Sequence, residues 1–144
     1  MKFFVPYDGS PLAQAALERA GTLTENATVV VCTVIPDNAD YARKKGWLDD
    51  EPFDSDEVEQ RLTGAIRDVV PDADVRCLHV RPHINAGGIV TRIRDMAEDV
   101  DADVVFLGSE NVGRIAAPVA SIGSNVATRV PYDIYLVQTE PNED

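Results

Sequence analysis

The sequence is short of cysteine, lysine, histidine and long apolar runs, and each shortage removes a class of answers. Its two cysteines, Cys32 and Cys77, each lie inside an apolar, strand-like run, where a free thiol behaves as a small buried hydrophobe. A disulfide framework or a cysteine metal site needs more ligands at closer spacing, so both thiols are read as inert core residues and the chain as cytoplasmic. No apolar run approaches the roughly 20 residues of a membrane span. The opening, Met1 to Asp8, is apolar for too few residues before an acid to form a signal-peptide core, and it reads as a first strand.

Lysine occurs only at Lys2, Lys44 and Lys45, and 13 basic side chains stand against 25 acidic ones, for a net charge of −12. Such a chain lacks the phosphate-neutralising surface of a nucleic-acid binder, and it disfavours anionic membranes for the same reason. Aspartate outnumbers glutamate, a balance that resembles the proteins of salt-loving (halophilic) microbes. In molar salt the Debye length falls to about 3 Å, so an acidic shell repels itself far less than in dilute buffer. The fold is therefore expected to loosen on desalting. Circular dichroism between molar and millimolar KCl checks this, and an unchanged spectrum refutes it.

Familiar catalytic signatures are missing as well. None of Ser10, Ser109 and Ser124 sits in a Gly-x-Ser-x-Gly elbow, no Gly-x-Gly-x-x-Gly follows the first strand, and no Walker lysine motif occurs. The two histidines, His79 and His83, have no cysteine or carboxylate at ligand spacing in the sequence, and they read as satisfied core or loop residues. No catalytic residue and no metal ligand is assigned.

What is present is an alternation of β-branched runs with segments of helical period, the signature of βαβ units. At 144 residues the chain has the size of one domain, spanning 1–144. Strands are expected at Lys2 to Tyr7, Ala27 to Val34, Asp74 to Val80, Asp103 to Leu107 and Asp133 to Gln138. The runs Val29-Val30-Val31 and Val104-Val105-Phe106-Leu107 are apolar throughout, as in strands covered on both faces. Ser10-Pro11 reads as an N-cap and first helical turn. Asp54 and Glu57 have capping-box spacing ahead of a stripe from Val58 to Val69. A third helix follows Asn85, and a short last one is expected from about Ser124 to Val130. The stretch from Pro36 to Phe53 reads as an irregular crossover, either a lid or an ordinary insertion with Trp47 tucked into the core edge.

In open parallel sheets, ligands collect at the carboxyl ends of the strands. Three loops qualify here. In the first, Asp8 ends strand one, where its carboxylate could accept hydrogen bonds from a ribose or an adenine amino group, or simply serve the turn into the helix. The second is the end of strand two around Val34, whose backbone could read a base edge. The third holds Gly108, Gly113 and Gly123-Ser124. Glycines there would let backbone N–H groups approach an anion at a helix start, and tight turns would need them even with nothing bound.

The start Val5-Pro6-Tyr7-Asp8-Gly9-Ser10, and the end Leu107-Gly108-Ser109 through Gly123-Ser124 into a final strand, resemble the universal stress proteins. The resemblance implies a doubly wound five-stranded parallel sheet in the order 3-2-1-4-5, with helices on both faces. It also implies a homodimer that pairs the last strands of two chains. In ATP-binding members the closing motif is Gly, two residues, Gly, nine residues, then Gly-Ser or Gly-Thr. This chain keeps the nine residues from Arg114 to Ile122, but it separates Gly108 from Gly113 by four residues and places Glu110 in that loop.

Carried over residue by residue, the resemblance implies that Asp8 contacts ribose or base and that Val34 offers backbone to adenine. Gly108, Gly113, Gly123 and Ser124 would surround the phosphates of ATP or a related adenine nucleotide. Glu110 in that loop would repel them, unless Arg114 offsets it, the side chain faces solvent, or it holds a bridging divalent ion such as Mg²⁺. The leading expectation is thus a regulatory binding module of the stress-response type, without rapid turnover. The alternatives are a nucleotide-free dimer acting through contacts with an unknown protein partner, and a weak ATPase using Glu110 or Asp8.

Overall fold

A computed structural model describes residues 1–108 and 131–138. Its strands are β1 (Lys2–Pro6), β2 (Thr28–Pro36), β3 (Asp74–Val80), β4 (Val104–Gly108) and β5 (Asp133–Val137), and its helices are α1 (Pro11–Thr22), α2 (Ala39–Lys44), α3 (Ser55–Val69) and α4 (Ala86–Asp99). All pairings are parallel, in the order β3-β2-β1-β4-β5. This is the expected topology, with β1 at the centre and the strands that carry the two apolar runs on either side of it. The expected last helix lies outside the described residues, as do Ser109, Glu110, Gly113, Gly123 and Ser124. No helix among the described residues is long and apolar enough to cross a membrane.

Alternation along the strands divides the core into two layers. Phe3, Val5, Val29, Val31, Ile35 and Phe106 face α1 and α3, which contribute Leu17, Ala20, Leu62 and Ile66. Phe4, Val30, Cys32, Val34, Val105 and Leu107 face α4. The edge strand β5 is tied inward by Tyr135, whose ring stacks on Phe106 at 4.9 Å and whose hydroxyl accepts a hydrogen bond from Arg19 at 2.9 Å.

The helix starts follow the sequence closely. Ser10 caps α1 by accepting from Ala13 N, and Asn85 caps α4 by accepting from Gly88 N at 2.7 Å. Asp54 caps α3 by accepting from the backbone of Asp56 and Glu57, while the Glu57 carboxylate pairs with Arg61 at 2.9 Å.

Three expectations change. The segment from Pro36 to Phe53 is not irregular throughout, because Asn38 accepts from Tyr41 N at 3.1 Å and starts α2. His79 is not a core residue: its side chain is 39% exposed and meets Glu59 of α3 at 2.6 Å, a carboxylate that only the crossover brings near. Cys32 is buried as expected, and burial, with the neighbouring Cys77 thiol adding to it, pushes its thiol up to about 12. Cys77 is only partly buried, 3.9 Å from the Thr63 hydroxyl.

Candidate functional site

The carboxyl ends of β1 and β2 open into a cleft of about 240 Å³. Its floor is Pro6, Tyr7 and Asp8 from β1 and the turn after it, with Cys32 and Val34 from β2. One wall is apolar: Ile84 before α4, then Ile89, Val90 and Ile93 on its first turns. These side chains are only half-buried, so the amino-terminal part of the α4 stripe lines the cleft while Ala97 further along packs into the core. The opposite wall is Tyr41 and Lys45, carried by α2 and the residue that ends it.

Asp8 is the polar centre of this arrangement. Its Oδ1 accepts from Ser10 N at 3.0 Å, and its Oδ2 accepts from Lys45 Nζ at 2.8 Å. Burial pushes the Asp8 carboxyl up, but the hydrogen bonds from Lys45 and Ser10 and the lysine charge outweigh it, leaving the group below the ordinary carboxylate range. Asp8 is therefore ionised at neutral pH. Tyr7 moves the other way: burial first, and then the Asp8 charge, raise its phenol. Its neutral hydroxyl donates to Gln14 Oε1 at 3.0 Å.

The turn after Asp8 needs glycine, since Gly9 has φ +82°, a left-handed conformation that side chains resist. Trp47 closes over this turn. Its Nε1 donates to the Asp8 carbonyl at 2.9 Å, its ring meets Tyr41 at a centroid distance of 5.6 Å, and its own carbonyl accepts from Arg61 of α3 at 2.9 Å. Trp47 is thus a buried anchor for the segment carrying Tyr41 and Lys45.

Of the residues singled out by sequence, Asp8 and Val34 meet in the cleft. Gly108 is the last residue of β4, where a Cβ would lie 2.7 Å from Leu12 Cβ and 3.0 Å from the Leu12 backbone. Close helix packing is therefore reason enough for glycine at that position. Gly113, Gly123 and Ser124 lie outside the described residues. Sequence reasoning missed Tyr41, Lys45 and the α4 wall. The apolar period of α4 was visible, but not that Ile89, Val90 and Ile93, packed against the core and only half-buried, also line the cleft. Among the described residues, no three His, Cys, Asp or Glu side chains gather as a metal site.

The model of the family described as "Universal stress protein family" matches residues 1–138. No curated protein matches the chain. Among solved structures, a universal stress protein in complex with cAMP is 21% identical with a TM-score of 0.58, the match covering 97% of this chain and 98% of that one. The universal stress protein of Archaeoglobus fulgidus in complex with dAMP is 22% identical with a TM-score of 0.56, over 96% of this chain and 98% of that one. A protein of the same family from Burkholderia pseudomallei is 15% identical with a TM-score of 0.58, over 96% of each chain. At these identities the structural likeness bears on the fold alone.

Proposed function

Because the chain belongs to the universal stress protein family, we propose that its cleft binds an adenine nucleotide and that the protein is a regulatory binding module without rapid turnover. The observation that carries this is the meeting of Asp8 and Val34 with an apolar wall at the strand ends. A half-apolar slot with one placed carboxylate suits a flat base joined to a sugar with hydroxyl donors. In this reading Asp8 accepts from ribose, the Val34 backbone meets the adenine, and Ile89, Val90 and Ile93 cover the base. Gly108, Gly113, Gly123 and Ser124 surround the phosphates. Relatives solved with cAMP and dAMP lend support.

The proposal extends to a single cytoplasmic domain adapted to salt, as the acidic composition favours, and to a homodimer through β5. That strand is an edge of the sheet and carries Leu136, 40% exposed, an apolar side chain that pairing would cover.

The nucleotide-free dimer has its own support. Asp8 is already engaged by Lys45 and Ser10, and the packing of Gly108 on Leu12 accounts for that glycine without a phosphate. A weak ATPase gains nothing from Asp8, since a carboxylate held below its ordinary range is a poor general base.

Calorimetry with ATP, AMP and cAMP in molar KCl, with and without Mg²⁺, tests the reading. Micromolar binding of at least one is expected. A folded protein that takes up none of them overturns it and leaves the nucleotide-free dimer.

A further inference from the structure

We infer that Lys45 sets the charge preference of the cleft, so that a site built round a carboxylate takes an anionic nucleotide ahead of the neutral nucleoside. The inference rests on reading the cleft as an adenine-nucleotide site. Among the described residues that line it, Asp8 and Lys45 are the charged ones. The aspartate supplies acceptors for a sugar, but it also places a negative charge beside any ligand. The whole chain adds to that field, with a net charge of −12. A phosphate about 6 Å from an uncompensated carboxylate would lose roughly 3-fold to 100-fold in affinity, for effective dielectrics between those of water and a protein surface.

Lys45 answers that charge at contact distance, 2.8 Å from Asp8 Oδ2. It is one of three lysines in the sequence, and its placement is built. The start of α2 is set by Asn38, and just beyond its end Trp47 N donates to Ala42 O at 2.9 Å while the indole holds the Asp8 carbonyl. The ammonium lies over the Tyr41 ring, 5.7 Å from its centroid, while it meets the carboxylate. A group held by two anchors needs little reorganisation when a ligand arrives. With one cation against one anion, these side chains present no net charge, and an ammonium carries three donors.

The preference is read as the ratio of dissociation constants for adenosine and AMP, which share base and sugar and differ in the phosphate. Both are measured by calorimetry at the lowest KCl concentration, down to about 0.1 M, at which circular dichroism shows the fold of molar KCl retained, so that screening is as incomplete as the fold allows. We expect wild type to favour AMP. Lys45→Met should cut that preference about tenfold, mainly by weakening AMP, and Lys45→Gln should read the same. Lys45→Arg should keep the preference. Adding Asp8→Asn to Lys45→Met should restore most of the ratio, because these two positions again carry no net charge, even as both affinities fall. A lysine that merely braced α2 would move both ligands together. An unchanged ratio in folded Lys45→Met and Lys45→Gln overturns the inference. So does a wild type that binds adenosine as tightly as AMP, which would leave the adenine site standing. A wild type that binds neither removes the site itself, and the inference with it.

Discussion

Gly108→Val is expected to destabilise the protein by about 3 kcal/mol, the upper part of the range for overpacked cores, and to lower the unfolding temperature by roughly 6–12 °C. The added Cβ would sit 2.7 Å from Leu12 Cβ, 3.0 Å from the Leu12 carbonyl carbon and 3.2 Å from its oxygen. Two of those atoms are backbone, so no rotamer change relieves the overlap. Either α1 moves away from β4 or the end of β4 bends, and both disturb the layer that holds Leu17, Phe106 and Tyr135. Gly64→Ala makes the contrasting case. Gly64 lies within α3 with nothing near its missing Cβ, so alanine there should stabilise by roughly 0.5–1 kcal/mol. Thermal and denaturant unfolding of the two variants should move in opposite directions. A Gly108→Val protein as stable as wild type would mean that α1 and β4 do not approach as closely as this packing requires.

That glycine also shows where sequence reading reaches its limit. A glycine at the end of a strand was legible as a place where the backbone is approached closely, but not what approaches it. Only the return of α1 across β4 identifies Leu12, which is distant in sequence. The strand positions and the central place of β2 and β4 were legible because they follow from apolar runs, which are local; the full strand order came only with the family resemblance, and the division of the core into two layers only with the structure. Helix starts were legible for the same reason, since Ser10, Asp54 and Asn85 act within their own first turn.

The cleft was legible in part. Asp8 and Val34 are marked by their position at strand ends, but the wall opposite α4 comes from a segment rich in acids and aromatics with no clear apolar period. Its six-residue helix is too short for periodicity to reveal. It is held by long-range contacts, Trp47 to the Asp8 carbonyl and Arg61 to the Trp47 carbonyl, and pairings of this kind leave no mark in a linear pattern. Lys45 was noted as one of three lysines in an acidic chain, yet its contact with Asp8 spans 37 positions.

Asp8 is where stability and the proposed binding meet, and Asp8→Asn separates them by pH. The wild-type carboxylate accepts from Ser10 N and Lys45 Nζ and is 28% exposed on its side chain. Charge-assisted hydrogen bonds contribute about 1.5–3 kcal/mol each when well made, and solvent at the lysine reduces the second. A loss of about 2 kcal/mol near neutral pH is expected for the variant. Because the folded carboxyl lies below its ordinary value of 3.8, the unfolded chain binds this proton more readily. The stabilisation is therefore complete above that value and disappears as the pH falls through the lower, folded one. The gap in unfolding temperature between wild type and Asp8→Asn should be full at neutral pH and begin to close as the pH falls below 3.8.

Adenosine affinity should fall about 10-fold to 100-fold in the same variant at neutral pH, the worth of about 1.4–2.8 kcal/mol of lost sugar contact, and AMP should lose less, because the Asp8 charge that opposes its phosphate is gone. A variant with lowered stability and unchanged affinity would restrict Asp8 to fastening the turn and the Lys45 segment, and would move the ligand's sugar elsewhere in the cleft. A constant gap in unfolding temperature across the acid range would mean that the Lys45 and Ser10 contacts do not hold the carboxyl in its ionised form.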